Sequence, residues 1–307
     1  MIKLFHIENY KIDTSKFSHF LHGDIVNDVE ESITKYVGAK YGVAMNSATS
    51  AIFLSLLNKK VEVKIPSIIP PVVLNAILTS GNKIKFIDNV DWVGGSYTLH
   101  DFGDYKIIDS AQKLEKNQFK NEANPNDLMI FSFYPTKPIG GMDGGLVVSN
   151  DYNKIAWLRE ASFNGMSFAE NNWEREIKFP GWKMYMNSAQ AYVIKQNFMR
   201  LGHKETILEA IRVIYNSYFC RNNTSNHLYR INVPNRGEMI DSFKKNGIAY
   251  GIHYTAQHLN SVYTKRGTYN LSKSFLEAET TLSIPFHEKL QADEINKIVK
   301  EVKSNEK

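Results

Sequence analysis

Short apolar segments alternate with helical segments in the first half of this chain, and this alternation is the strongest constraint on its fold. Helices are predicted near residues 24–36 and 72–79, and another helix is predicted to start at residues 49–51. Strands are predicted at residues 42–45, 61–65, 83–88, 105–109, 128–133 and 145–148. Strands that alternate with helices are typical of an α/β sheet covered by helices on both faces.

The pattern changes after Asn150, where helical segments dominate. Helices are predicted at residues 155–163, from 187 into the 210s, and at 238–245 and 293–302, with strands at 228–233 and 252–254. We interpret the second half as a smaller α+β domain that a long helix joins to the first. The expected division is residues 1–186 and residues 187–307.

Composition excludes several classes of protein. The 307 residues are 43% hydrophobic and 22% charged, which is ordinary for a soluble protein with a sizeable core. The formal net charge of +5 is spread along the chain, whereas a nucleic-acid binder concentrates its lysines in a stripe. One cysteine allows no intrachain disulfide, and no signal peptide or membrane span is recognisable. We therefore expect a cytoplasmic protein that binds neither nucleic acid nor membrane.

A lysine lies in a loop rich in proline and glycine directly after a predicted strand. The strand ends at Ser132 and Phe133, and Lys137 follows before the glycines of residues 140–145. Ligand sites of α/β proteins form at the carboxyl ends of strands, and glycines let the backbone approach a ligand closely. A plain surface lysine in a turn would give the same pattern.

Asp109 ends another apolar strand and is expected to be partly buried. A buried carboxylate requires a cation as partner, and a pyridinium ring would be one. Gln112, three residues later, is placed to reach the same ligand. The simpler alternative is that Asp109 caps a helix.

The segment from Asn46 to Ala51 combines a strand end, a turn of small residues and a helix start. Hydroxyl groups beside free N–H groups at a helix N-terminus form an anion site, although simple capping explains the same residues. Together, the three segments offer an amine, a carboxylate and a phosphate site. These are the groups that pyridoxal phosphate (PLP) requires of a protein.

These segments resemble the motifs of the DegT/StrS sugar aminotransferases, PLP enzymes of fold type I. The matching motifs are Ser132-Phe133 through Lys137 to Gly145, Asp109-Ser110-Ala111-Gln112, Asn46 to Ala51, Met186-Asn187 with Gln190-Ala191, and His253-Tyr254 with His258-Leu259 and Tyr263. They follow the family order from about Gly23 to the end of the chain. The resemblance implies a large α/β domain with a mostly parallel central sheet, followed by a smaller C-terminal α+β domain.

The resemblance also implies roles for individual residues. Lys137 would form the Schiff base with PLP and shuttle the proton, and Asp109 would pair with the pyridine nitrogen. The implied PLP-binding set is Thr49, Ser50, Asp109, Gln112, Ser132, Lys137 and, across a homodimer interface, Lys183. The implied substrate-binding set is Tyr134, His253, Tyr254 and His258. Glutamate would donate the amino group to a keto sugar carried by a nucleotide, for the synthesis of a surface polysaccharide or glycan.

The chain departs from the family pattern in three places. Pro70 stands where the family has an aromatic residue over the PLP ring, and Lys183 and Tyr185 replace an asparagine and an arginine. Residues 89–108 are short for the family, with 97–103 as a remnant strand. Two alternatives therefore remain open: a degenerate homologue that binds without turnover, and a PLP-dependent sugar dehydratase, although dehydratases of this family have histidine at the position of Lys137. His253 and His258 do not have the spacing of metal ligands, and no metal is expected.

Overall fold

The computed structural model describes residues 1–167, 175–265 and 267–305. In that part of the chain the strands are β1 (Tyr41–Met45), β2 (Glu62–Pro66), β3 (Lys83–Ile87), β4 (Tyr97–Asp101), β5 (Lys106–Asp109), β6 (Leu128–Ser132), β7 (Gly145–Ser149), β8 (Tyr229–Asn232) and β9 (Thr281–Ile284). The helices are α1 (Asp24–Val37), α2 (Ala48–Leu56), α3 (Pro71–Thr79), α4 (Gln118–Glu122), α5 (Tyr152–Ser162), α6 (Ser188–Met199), α7 (Leu201–Phe219), α8 (Arg236–Lys245), α9 (Ser272–Thr280) and α10 (Ala292–Asn305).

The central sheet has the strand order β1-β7-β6-β5-β4, and β2 pairs with β3 beside it. Within the five-stranded sheet only β5 and β6 pair in parallel; β1–β7, β6–β7 and β4–β5 are antiparallel. The β2–β3 pair is parallel. The prediction of an α/β fold is confirmed, but the prediction of a mostly parallel central sheet is wrong for these five strands.

The direction of β4 follows from the length of its connection to β5. Only residues 102–105 separate the two strands, and the Phe102 amide donates to the Tyr105 carbonyl at 2.9 Å to close the turn. A parallel connection requires a crossover of about a dozen residues or more, so this link permits only an antiparallel hairpin. The shortened segment expected around residues 89–108 therefore keeps a strand, and this strand runs antiparallel to β5.

Helices cover both faces of the sheet, as the alternation of elements predicted. Successive residues of one strand enter different cores: Ile107 and Ile130 pack with α2 and α5 on one face, and Ile108 and Met129 pack with α1 and α6 on the other. The first helix ends at Gly38, whose φ of 83° is the left-handed conformation that favours glycine at this position. The two layers hold the strand ends rigidly in place.

The second half builds its own core around the antiparallel pair β8–β9, to which α7, α8 and α10 contribute. The predicted long helix is two helices that meet at Arg200. The predicted strand at residues 252–254 is wrong, because only the neighbouring Gly251 makes a bridge, with Ser283. The division of the chain at residue 186 stays a prediction.

No helix within residues 1–167, 175–265 and 267–305 is long and apolar enough to cross a membrane.

An ion pair between the buried Glu30 and the half-exposed Arg159 anchors α1 and α5 to the first strand. Glu30 lies 6% exposed on α1; its carboxylate accepts from the Ala44 amide at 2.7 Å and from Arg159 at 2.7 and 3.1 Å. Arg159 also donates to the Gly42 carbonyl at 2.7 Å. The pair thus satisfies one amide and one carbonyl group of β1, the strand that precedes the predicted anion-binding turn.

We expect Glu30→Gln to lower the free energy of unfolding by about 2 kcal/mol, because it removes the charge from hydrogen bonds made in a buried setting. Urea unfolding followed by circular dichroism measures the loss. Glu31→Gln is the matched control, since its side chain is exposed on the same helix. Equal stability of the two variants would contradict an anchoring role.

Candidate active site

Three segments that the sequence singled out meet at one edge of the central sheet. The strands β1, β5 and β6 run in one direction, and β7 runs in the other. The carboxyl ends of the first three strands and the beginning of the fourth therefore lie at the same edge. This edge brings together Met45 before α2, Asp109, Ser132 and Gly145, as expected for a ligand site of an α/β fold.

The loop that carries Lys137 is held in a compact form by its own backbone. The Phe133 amide donates to the Gly144 carbonyl at 2.8 Å, and the Gly141 amide donates to the Phe133 carbonyl at 2.7 Å. A Cβ atom at Gly140 would lie 2.2 Å from the Pro135 carbonyl oxygen, so only glycine fits there. Proline and glycine in this loop thus fix the path of the backbone at the lysine.

Asp109 is buried at the end of β5 and 3% exposed. One carboxylate oxygen accepts from the Tyr97 hydroxyl at 2.7 Å, and the other accepts from the Ala111 amide at 2.9 Å. Burial raises the pKa of Asp109, and these two hydrogen bonds and the charge of Lys137 oppose the rise. The site therefore holds a carboxylate that a further positive charge would stabilise.

The amine of Lys137 and the carboxylate of Asp109 act on each other electrostatically. Burial lowers the pKa of Lys137 to about 8, and the charge of Asp109 opposes this shift. The charge of Lys137 in turn contributes to the lowered pKa values of His227 and His253. A lysine amine that is partly neutral near neutral pH is a competent nucleophile and base.

The N-terminus of α2 lies where the anion site is predicted. Ser47 caps the helix and accepts from the Ser50 amide at 3.1 Å, and the Ser50 hydroxyl donates to the Asn46 side chain at 2.7 Å. A Cβ atom at Gly145 would lie 2.6 Å from the Ala48 nitrogen. The missing side chain lets β7 approach the helix start, where unpaired N–H groups favour a phosphate.

Two tyrosines and a tryptophan surround the carboxylate. Gln112 is 2% exposed; its carbonyl accepts from the Gly94 amide at 2.7 Å, and its amide donates to the Tyr254 hydroxyl at 2.8 Å. The Trp92 ring lies 4.6 Å from the Tyr97 ring and parallel to the Tyr254 ring at 6.2 Å. Gln112, predicted to contact the ring hydroxyl of the cofactor, thus also joins the second half of the chain to the site.

The remaining predicted site residues occupy different environments. Thr49 lies in the first turn of α2, and Ser132 ends β6. Tyr134 is 54% exposed beside the lysine. The ring of His253 is hydrogen-bonded to Ser283 at 2.8 Å, and burial with the charges of Lys137 and Arg230 lowers the pKa of His253 to about 4.

His258 is buried, and its Nδ1 atom lies 2.6 Å from the Ser67 hydroxyl. The segment around it is bound to the first half of the chain, because the Gln257 amide donates to the Ser67 carbonyl at 2.9 Å. His258 therefore fixes the position of Tyr254, four residues earlier. Its predicted contact with substrate stays a prediction.

Lys183 is exposed and pairs with Phe163 in a backbone bridge. Its charge acts on His22 rather than on the groups around Lys137. Within the described part of this single chain, no hydrogen bond or ion pair joins Lys183 to Asp109 or Lys137. The predicted role of Lys183 across a homodimer interface stays a prediction.

The sequence interpretation missed Tyr97, Trp92 and His227 as site residues. Tyr97 lies on the remnant strand. Its position next to Asp109 depends on the four-residue connection, which makes β4 and β5 a hairpin. Tyr97 and Asp109 are directly paired in the register of β4 and β5. Three or more His, Cys, Asp or Glu residues do not gather into a possible metal site anywhere in residues 1–167, 175–265 and 267–305.

Comparison with known families assigns this arrangement. The profile described as the DegT/DnrJ/EryC1/StrS aminotransferase family matches residues 7–92 and 107–303. The chain belongs to this family. The unmatched residues 93–106 contain β4 and the connection to β5, the stretch in which the chain is shortened. Family membership confirms the predicted aminotransferase class and PLP as the cofactor.

Individual relatives agree with this assignment. A UDP-4-amino-4,6-dideoxy-N-acetyl-beta-L-altrosamine transaminase of Campylobacter jejuni is 26% identical over 326 aligned positions, which cover 87% of this chain and 86% of the relative. The spore coat polysaccharide biosynthesis protein SpsC of Bacillus subtilis is 24% identical and covers 92% and 89%. The solved structure of Helicobacter pylori PseC has a TM-score of 0.79 at 19% identity and 99% coverage of both chains.

The residues at the sheet edge fit PLP. Asp109 is a buried carboxylate whose raised pKa a cationic pyridine nitrogen would reverse, and Lys137 offers an amine with a lowered pKa beside it. The start of α2 offers the anion site for the phosphate. Pro70, at the position of the expected aromatic residue, instead precedes α3 as its N-cap, while Trp92 supplies an aromatic ring near Asp109.

We expect Asp109→Asn to weaken PLP binding by about 30-fold or more, because a buried charge partner is worth about 2 kcal/mol or more. A carboxyl group whose pKa is higher in the folded state than in the unfolded state destabilises the folded apoprotein at pH values above its unfolded-state pKa. Asp109→Asn removes this loss of stability. Apoprotein unfolding at pH 4 and pH 7 and PLP titration test both effects. Asp104→Asn is the exposed control; unchanged PLP affinity of Asp109→Asn would refute the pairing.

The rate at which PLP attaches to the apoprotein should rise with pH and level off above about 8, since only the neutral Lys137 amine is nucleophilic. Stopped-flow absorbance of the band that appears on mixing measures this rate. A midpoint close to the ordinary lysine pKa of about 10.4 would show that the amine is solvated and the described burial wrong.

Proposed function

We propose that this aminotransferase moves an amino group from glutamate to the keto carbon of a nucleotide-linked sugar, with Lys137 as the catalytic lysine. The observation that carries the proposal is the buried Asp109 and the partly buried Lys137, whose charges act on each other at the carboxyl edge of the sheet, beside the N-terminus of α2. The products are 2-oxoglutarate and an amino sugar, so the exchange balances without an added oxidant or reductant.

Each residue has a defined task in this reaction. Bound PLP supplies an electron sink that stabilises negative charge on the reacting carbon. Lys137 attaches the cofactor, and its Nζ atom later accepts the proton from the Cα atom of the donor. Asp109 keeps the pyridine nitrogen protonated, and Tyr97 orients the Asp109 carboxylate through their 2.7 Å hydrogen bond. The first turn of α2, with Thr49, Ser50 and Ser132, binds the phosphate.

The sugar-nucleotide substrate is supported by the relatives and by an adjoining cleft. The printed name of the Campylobacter relative specifies a UDP-linked sugar. A cleft of about 520 Å³ opens beside Gly94, the backbone partner of Gln112, and its lining includes Lys113, Arg221 and Arg230 as well as Asp91 and Glu115. Lys113 and Arg230 are paired with glutamates, whereas Arg221 forms no ion pair with the described residues and offers its charge to an anionic substrate. A role in polysaccharide synthesis follows from the named relatives.

The proposal includes a homodimer in which Lys183 serves the neighbouring site. Lys183 is exposed and does not reach the groups around Lys137 in its own chain, while a point charge near a phosphate is what a lysine provides. We further propose that residues 1–186 form the PLP-binding domain and residues 187–307 the smaller domain. Sedimentation with and without PLP tests the dimer.

The decisive experiment adds PLP to the purified protein, then glutamate, then a panel of nucleotide-linked keto sugars. We expect a visible band that glutamate bleaches and that a keto sugar restores, with an amino sugar detected by mass spectrometry. Lys137→Ala should lose the band, and amination should fall by about 10³-fold or more.

Two results would point elsewhere. A sugar product that has lost water but gained no nitrogen would favour the dehydratase. Failure of PLP to bind in calorimetry would favour a degenerate binding protein. Retention of the band by Lys137→Ala would remove the assignment of the lysine altogether.

A further inference from the structure

Three side chains from the second half of the chain lie against the lysine loop, and two of them hydrogen-bond to its carbonyl groups. Asn197 on α6 donates to the Gly140 carbonyl, and Lys204 on α7 donates to the Pro138 carbonyl at 3.1 Å. His227 is buried and lines, together with Thr136 and Pro138, the small cavity behind the loop.

Lys204 thus holds a residue next to the catalytic lysine, and His227 shares a cavity with both of the lysine's neighbours, Thr136 and Pro138. None of the three side chains belongs to the loop itself. We propose that Asn197, Lys204 and His227 form a clamp that positions Lys137, fixing the direction and the burial of its amine from behind. This inference rests on the proposed role of Lys137 and adds three positioning residues to it.

The clamp is partly buried. The Lys204 side chain is 23% exposed, and its ammonium lies 3.9 Å from a Glu288 carboxylate oxygen. His227 is 5% exposed and stacks on Phe5 with ring centroids 5.7 Å apart. Partial burial of a lysine has a cost in desolvation, and the ammonium here donates to a backbone carbonyl beside the active-site residue.

A small cavity of about 10 Å³ lies within the clamp, lined by Thr136, Pro138, Lys204, His227 and Glu288 among others. Two polar atoms of these residues, His227 Nδ1 and Glu288 Oε2, are buried and have no hydrogen-bond partner among the described residues. The space behind the lysine loop therefore contains polar atoms that lack hydrogen-bond partners among the described residues. A purely structural contact would be expected to be apolar or to have all its polar atoms hydrogen-bonded.

Residues 1–10 form an N-terminal arm that contacts the clamp. The Tyr10 hydroxyl donates to the Asn197 side chain at 2.6 Å, and Phe5 packs on His227. The arm is joined to the second half of the chain by backbone bonds between Ile2 and residues 247 and 249. The clamp thus connects the lysine loop to elements that lie outside the central sheet.

The test measures the titration of the Lys137 amine in the full-length apoprotein, by trace acetylation over a range of pH with mass spectrometry of the Lys137 peptide. Loss of a clamp donor should loosen the loop, hydrate the amine and move its midpoint from about 8 toward the ordinary value by about one pH unit or more. The variants are Lys204→Met, which removes a donor and a charge, and Asn197→Leu, which removes a donor alone.

Lys300→Met is the matched control, because Lys300 is an exposed helical lysine in the same half of the chain. Lys204→Arg keeps a donor and should restore most of the wild-type midpoint. In the PLP-loaded enzyme, we expect Lys204→Met and Asn197→Leu to lower kcat of the glutamate half-reaction by about tenfold with KM little changed, as lost positioning predicts.

The outcomes separate the clamp from other effects. If Lys204→Met alone shifts the midpoint, the residue acts through its charge and the clamp is refuted. Lower melting temperatures with unchanged midpoints would also refute it, since they indicate a structural role only. Should Lys204→Met fail to fold, Asn197→Leu and His227→Asn decide the same question. Because acetylation of the apoprotein requires no transamination, the result does not depend on the proposed substrate.

Discussion

Burial of an aspartate and a lysine at one edge of a sheet is the constraint on which this structure depends. Burial raises the pKa of Asp109 and lowers the pKa of Lys137, because it penalises the charged form of each group. A ligand with a basic ring nitrogen and an aldehyde relieves both, since it brings a cation to the carboxylate and consumes the amine. The fold supplies the rigid frame, because strands from two core layers fix where each side chain begins.

The parts of the site whose conformation depends on a few neighbouring residues could be predicted from the sequence. A strand end followed by small residues predicted the start of α2, and a strand end followed by proline and glycine predicted the loop of Lys137. In each case the turn chemistry is encoded within a few neighbouring residues. The strand boundaries of the first half were confirmed to within one or two residues for the same reason, since each strand is a short apolar run.

The parts that depend on distant contacts were not predictable. The direction of β4 depends on the number of residues that connect it to β5, which is too small for a crossover. The motifs shared with longer relatives do not reveal this number. The roles of Tyr97 and Lys204 appear only when partners far apart in sequence come into contact. The error at residues 252–254 has a similar origin, because their apolar character serves packing against Trp92 and Phe5 rather than pairing in a sheet.

The hairpin between β4 and β5 also bears on how the chain folds. In a sheet built by crossovers, neighbouring strands meet only after a long loop has closed, which slows assembly. Here two strands that carry Tyr97 and Asp109 are joined by four residues and can pair by local zipping, on the time scale of about 1–10 μs for hairpins. The residues that hold the acidic end of the site are therefore expected to associate early, giving β6 an edge on which to add and placing part of the catalytic machinery within the folding nucleus.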